Sequence, residues 1–277
     1  MNQHIRNKLH NAAEASRLLG IVSAARVHLR KALPFRKAEH ISVQISGITN
    51  DFKIRRRGSD FAVCLQMFAE HDYDLSWCEP YRAHVQELCH QIRSEGNVPV
   101  IIDAGANIGA STLLFARAFP DCEVYAVEPD RGNYAMLEAN TRECSNVLTF
   151  RAGIWDRPTN LGMQWEKETG WAQQVEETDA SDLPGITVGQ LLAMDPKARP
   201  LIVKMDIEGA EIQALRSNNG WVDQVPLMIF EAHDNLHHWL GMWTGSMYAF
   251  MSCLMRRKRE YLTKGENVFA FLHPQET

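Results

Sequence analysis

Six cysteines, at positions 64, 78, 89, 122, 144 and 253, are spread over 277 residues without a single C-x-x-C pair. That scatter excludes a zinc ribbon and a disulfide-stapled scaffold, and it predicts a reducing compartment, the cytoplasm. Long apolar runs are also missing: none approaches the roughly 20 residues needed to span a bilayer. Near the start, LLGIVSAARVHL carries Arg26 and His28, which break the apolar core that a secretory leader needs. Internal repeats and low-complexity tracts are lacking too, which excludes a solenoid.

What is present suits a folded enzyme-sized body. The chain is 45% hydrophobic and 23% charged, a balance that excludes wholesale disorder. The net charge of −5 is unevenly laid out. Residues 1–57 hold 12 Lys/Arg and 3 Asp/Glu, a balance of +9, and the rest holds 17 basic and 31 acidic residues, a balance of −14. A basic leader of this kind could touch acidic lipid or an acidic protein partner peripherally, or simply pack as a solvated helix on the acidic body. No stacking aromatics interleave its basic residues, so no nucleic-acid partner is expected. Oligomerisation stays open.

Apolar residues at Ile5, Leu9, Ala12, Leu19, Val22 and Leu29 predict amphipathic helix over 3–32, ended by Pro34. ISVQISG and FKIRRR form a predicted hairpin, and 60–70 and 79–94 two helices. From residue 96 the pattern changes to alternation. The strands are VPVIID, CEVYAVE, VLTFRAG, PLIVKMD and VPLMIFE. Helical stretches such as IGASTLLFARAF, TVGQLLAM and GAEIQALRS lie between them. Such alternation predicts an α/β fold with a doubly wound, Rossmann-like parallel sheet. A polar, Trp-bearing stretch interrupts it at 156–185, and 236–258 is helix-rich. REYLTK-GEN-VFAFL closes the chain as an antiparallel hairpin. Two parts result: a helical and hairpin extension, 1–95, and a ligand-binding domain, 96–277.

The loop IIDAGANIGAS follows a strand and opens a helix. A dinucleotide fingerprint reads G-x-G-x-x-G and places phosphates on the helix N-terminus. Here the spacing is D-x-G-x-x-x-G, with Asp103 where a pyrophosphate would be repelled. Gly105 permits a sharp turn and close backbone approach, and Gly109 permits close helix packing. Glu128 ends the next strand, where an acid takes ribose hydroxyls. A ligand with a ribose and an amino-acid ammonium but no pyrophosphate fits, which describes S-adenosylmethionine.

VIIDAGANIGASTLLFARAFP, VYAVEPD, LIVKMDIEGAE and MIFEAH together resemble the FkbM-type family of class I S-adenosylmethionine-dependent methyltransferases, over roughly 41–272. The resemblance implies a seven-stranded sheet whose last two strands are the hairpin at 259–272, and O-methylation of a sugar, glycan or polyketide-type hydroxyl. It also implies cofactor contacts at Asp103, Gly105, Ala106, Asn107, Gly109, Glu128, Pro129, Gly153 and Asp206.

In an open α/β sheet, ligands sit at the carboxyl ends of the strands. Asp206 and Glu231 end strands and should share one mouth with Asp103 and Glu128. Lys204 lies inside a central strand, which is costly unless paired, so an acid from a neighbouring strand or loop should meet it. Glu208 lies in the turn and should orient substrate or line the pocket. Glu211, at a helix start, is expected to bond back to backbone N–H groups. The expected catalytic set is Asp206, Glu231, His233, Glu208 and Lys204, with Asp206, Glu231 and His233 unranked as base and orienting groups. His233 is best matched to neutral pH, or it is a surface loop histidine. No resident metal is expected, although Asp206, Glu231 and His233 would suit a hard divalent ion. Trp155, Trp165 and Trp171 could stack on an acceptor or staple the insertion to the body. Competing functions are N-methylation, a nicotinamide-dependent oxidoreductase and a non-catalytic cofactor-binding module.

Overall fold

A computed structural model describes residues 40–45, 49–56, 58–165, 173–181, 183–235 and 245–275. The expected leader helix at 3–32 and Trp171 lie outside the described residues. The described residues begin with a hairpin, β1 (His40–Ile45) and β2 (Thr49–Arg55), followed by α1 (Asp60–Phe68) and α2 (Glu79–Ser94). The hairpin has the alternation expected of a half-covered ribbon: Ile41, Val43 and Ile45 are buried while their neighbours face water.

A seven-stranded mixed sheet forms the body. Its strands are β3 (Val98–Ala104), β4 (Glu123–Val127), β5 (Val147–Phe150), β10 (Ala198–Met205), β11 (Leu227–Glu231), β12 (Arg259–Lys264) and β13 (Asn267–Leu272), in the order β12-β13-β11-β10-β3-β4-β5. β11, β10, β3, β4 and the edge strand β5 are mutually parallel, and β13 runs antiparallel to both β11 and β12. The inner strands bury both faces, which is why they read as unbroken apolar runs. Ile101, Leu227, Ile229 and Phe269 face the hairpin, α1, α2 and α3 (Ala110–Ala118). Ile102, Met228, Phe230 and Ala270 face the opposite side. Covering them there are α5 (Val188–Leu192), α6 (Glu211–Arg216) and α7 (Ser246–Leu254). α4 (Arg131–Thr141) follows β4.

The hairpin and α1 share a single apolar cluster with the sheet, so the body's first face is covered by residues that precede its first strand. The polar insertion is itself ordered into a second sheet. Its strands are β6 (Gly153–Ile154), β7 (Thr159–Trp165), β8 (Gln173–Glu177) and β9 (Leu183–Ile186), in the order β6-β9-β7-β8. Trp155 is buried against Leu161 and Leu183, and its indole N–H donates to Glu177 Oε1 at 2.6 Å, so this ring staples the insertion. Among the described residues no helix is long and apolar enough to cross a membrane.

Strand order reverses between β3 and β10, which carry chain in opposite directions across the sheet. Crevices open at the carboxyl ends of strands at such a point. Here the backbones meet closely: a Cβ built on Gly105 (φ 79°) would stand 1.8 Å from the carbonyl oxygen of Asp206. Only glycine fits that position.

Candidate active site

The switch point opens into a cleft of about 610 Å³, lined by Gly105, Asn107, Glu128, Pro129, Gly153 and Asp206 among others. Glu128 is 5% exposed, and its two oxygens accept from the backbone N–H groups of Asp130 (2.9 Å) and Asn107 (2.8 Å). Burial pushes its pKa up to about 7 in spite of those bonds. Oε2 keeps a lone pair for a hydroxyl donor, while Oε1 is also reached by Asn133 Nδ2 at 3.5 Å. Two acids and a glycine-floored loop suit a ribose-bearing, cationic ligand and repel a pyrophosphate, so the residues present fit S-adenosylmethionine.

Three of the expected cofactor residues are elsewhere. Asp103 is fully buried and does not line the cleft. Its Oδ2 accepts from Ser111 Oγ (2.8 Å) and Thr112 Oγ1 (2.6 Å) at the start of α3, and its Oδ1 stands 3.3 Å from Lys204 Nζ. Oδ1 has the Lys204 ion pair but no hydrogen bond, and burial keeps both oxygens out of the cleft. Ala106 is buried in the loop, its N–H bonded to Val127 O. Gly109 serves α4 rather than a ligand: a Cβ there would meet Leu137 Cδ1 at 2.9 Å.

Lys204 meets its acids as expected but is likewise withdrawn from the cleft. It donates to the carbonyls of Gly105 (2.6 Å) and Ala104 (3.3 Å) and sits 3.5 Å from Asp206 Oδ2. Burial opposes its charge, but Asp103 and Asp206 outweigh burial and hold its pKa above the ordinary value. It is a positioning residue for the loop and for Asp206. Tyr73, which nothing in the sequence flagged, completes this knot. Its hydroxyl donates to Asp206 Oδ2 at 3.2 Å, and the Lys204 ammonium lies 5.4 Å from its ring centre. Burial, with the charge of Asp206 second, keeps the phenol protonated.

At the far end of the cleft, the turn after β10 gathers the remaining acids. Glu208 adopts φ 56°, a left-handed conformation that costs a non-glycine residue energy and is held at functional sites by its surroundings. Glu211 opens α6 and, as expected, accepts from the Ile207 N–H (3.1 Å). Its Oε1 also lies 2.8 Å from His233 Nδ1, a contact the sequence did not reveal. His233, in the turn after β11, is buried rather than at the surface, 4% exposed. With Nδ1 directed at Glu211, its Nε2 faces Asp206 Oδ1 (3.5 Å), Glu208 Oε2 (3.9 Å) and Glu231 Oε1 (3.9 Å). Burial works against the charged ring, but Glu211, Asp206 and Glu208 lift its pKa to about 9. Burial, then the charge of Asp206, raises both Glu208 and Glu231 to about 7.

Donor atoms of Asp206, Glu208 and His233 lie within 4.8 Å of one another, so these three could hold a divalent ion, with Glu208 standing where the sequence suggested Glu231. The cluster can orient a hydroxyl and accept its proton, directly beside the cofactor-shaped cleft.

Comparisons with known proteins bear on the family. A family model described as a methyltransferase FkbM domain matches residues 103–261. Methyltransferase 1 of Beauveria bassiana is 23% identical over 155 residues, which cover 47% of this chain and 62% of that protein. The hexuronic acid methyltransferase AglP of Haloferax volcanii is 24% identical over 136 residues, covering 48% of this chain and 56% of that protein. The chain thus spans less than two thirds of the length of these relatives. Among solved structures, the precorrin-6y C5,15-methyltransferase of Geobacter metallireducens aligns over 64% of this chain and 81% of its own, at 11% identity and a TM-score of 0.37.

Proposed function

The chain belongs to the FkbM methyltransferase domain family, and we propose that it methylates a hydroxyl oxygen of a sugar, glycan or polyketide-type acceptor in the cytoplasm. The observation that carries the reading is the imidazole of His233, fixed through Nδ1 by buried Glu211 and open through Nε2 to Asp206, Glu208 and Glu231. A sugar acceptor is supported by the relative from Haloferax volcanii, which is named for hexuronic acid.

When bound, S-adenosylmethionine supplies a methyl group already activated by its sulfonium. The protein's share is then to hold an acceptor oxygen in line and to take its proton. Positioning of that kind contributes about 7–11 kcal/mol. Asp206, Glu208 and Glu231 offer three acceptor carboxylates for neighbouring hydroxyls, which fixes the orientation of a polyol. With a pKa of about 9, His233 is an imidazolium at neutral pH in the free protein. A positive charge entering the cleft beside Asp206 lowers that value, favouring the neutral ring that can accept a proton at Nε2. Glu211 holds the tautomer and orientation, and Lys204 and Tyr73 fix Asp206 from behind.

The test is a screen of hydroxylated glycans and polyketides, incubated with the protein and S-adenosylmethionine and read by mass spectrometry for a gain of one methyl group. An O-methylated product that disappears with His233→Ala supports the reading. Methyl gain only on amines would sink it.

A further inference from the structure

One wall of the cleft lies outside the stretch that the family model matches. Arg55, Gly58 and Ser59, at the end of β2 and in the turn to α1, line the same cleft as Glu128 and Asn133. Arg55 is not a loose surface arginine. Its backbone N–H and its guanidinium both bind Asp60: N to Oδ2 at 2.7 Å, Nε to Oδ1 and Oδ2 at 3.1 and 3.0 Å, and Nη2 to Oδ1 at 2.7 Å. Asp60 is buried, so it is a firm anchor. The same Nη2 donates to Asn133 Oδ1 at 2.6 Å, and Asn133 Nδ2 reaches Glu128 Oε1 at 3.5 Å. A chain of polar contacts therefore runs from the hairpin, across the cleft rim, to the acid at the ribose end.

The fork is oriented as well as anchored. Nε and Nη2 are the atoms that hold Asp60 and Asn133, and Nη1 takes no part in those bonds. Nη1 lies against the first turn of α4, where Gly132 presents no side chain: a Cβ built there would be 3.4 Å from Nη1. A planar guanidinium held in this way offers a flat cationic face to a purine and spare donors to ring or ribose acceptors.

We propose that Arg55 is a cofactor-binding residue, and that with Gly58 and Ser59 it forms the adenosine-side wall of the cleft. The inference rests on the reading of the cleft as a site for S-adenosylmethionine. It makes the hairpin part of the binding machinery and not only a cover for the sheet.

Calorimetric titration of two ligands tests it: S-adenosylhomocysteine, and 5′-methylthioadenosine, which lacks the amino-acid end. Arg55→Ala should weaken both by the same factor, about tenfold, as expected for one lost charge-assisted contact. If Arg55→Ala binds both as tightly as the parent, the assignment is overturned. It is equally overturned if only S-adenosylhomocysteine is weakened, because the contact would then lie at the amino-acid end. A parent protein that binds neither ligand overturns the cofactor reading itself, and the assignment with it. Should Arg55→Ala fail to fold because Asp60 is left unpaired, Arg55→Lys keeps a cation beside Asp60 and removes the planar fork. That variant should lose several-fold in affinity for both ligands, and parent-like binding by it would overturn the proposal.

Discussion

Asp103 and Asp206 follow the same rule of placement and have opposite fates. Both stand at the carboxyl ends of adjacent parallel strands, and Lys204 lies between them, in register with Asp103. Asp103 is drawn inward because the helix that follows begins with Ser111 and Thr112, whose hydroxyls reach back to it. After Asp206 the chain turns through Glu208 and Gly209, both at positive φ, and no hydroxyl follows to capture the carboxylate. It stays 26% exposed and open to the cleft. Of these two strand-end acids, the one whose following turn supplies no side-chain hydroxyl is the one left open to the cleft. One lysine can serve both: it neutralises the buried acid and steadies the open one.

The open end should respond in rate. Asp206→Asn and His233→Ala are each expected to lower turnover by roughly 10²–10⁴-fold, while S-adenosylhomocysteine still binds by calorimetry. Near-parental turnover in both would erase the distinction between the two aspartates. The closed end should respond in stability. Asp103→Ala strands the Lys204 ammonium in the core, at about 3–5 kcal/mol in a denaturant melt. A stable Asp103→Ala protein that had lost cofactor affinity would instead restore Asp103 as a direct ligand.

The pH dependence sharpens the same contrast. A base with a free-protein pKa of about 9 must lose its proton to act, so kcat/KM should climb as pH rises from 7 towards 9. His233→Ala should flatten that climb. The raised value also makes His233 stabilising. Its contribution is fully present below its ordinary value of 6.5 and is lost as pH rises through about 9, so the Tm advantage of the parent over His233→Ala should shrink across that window. The smallest expected effect is that of Tyr73→Phe, which removes one hydrogen bond to Asp206 but keeps the ring. About 0.5–1.5 kcal/mol predicts a loss of up to tenfold in kcat, with cofactor affinity unchanged.

Much of the frame was legible because burial on both faces writes itself as unbroken apolar runs, as in LIVKM and LMIFE. The closing hairpin was legible from its Gly265 turn, and Glu128 from its distance to Gly105. The side-chain partners were not. Tyr73 bonds Asp206 across 133 positions, and Glu211 reaches His233 across 22, contacts that no local pattern encodes. The donors to Asp103 likewise sit eight and nine residues on, past the last glycine of the loop. The insertion's strands are short, polar and only partly covered, so alternation was too weak to reveal a second sheet.

The Lys204 knot also bears on how the glycine loop breathes. The loop's carbonyl at Gly105 is tied to Lys204, and the amides of Gly105 and Ala106 both bond Val127 O at 3.0 Å. Freeing either amide means parting β3 from β4 while Lys204 still grips β3's end from β10. Hydrogen exchange at these two amides should therefore track the opening of the whole sheet, with protection close to that of the deepest strands and far above that of ordinary surface loops.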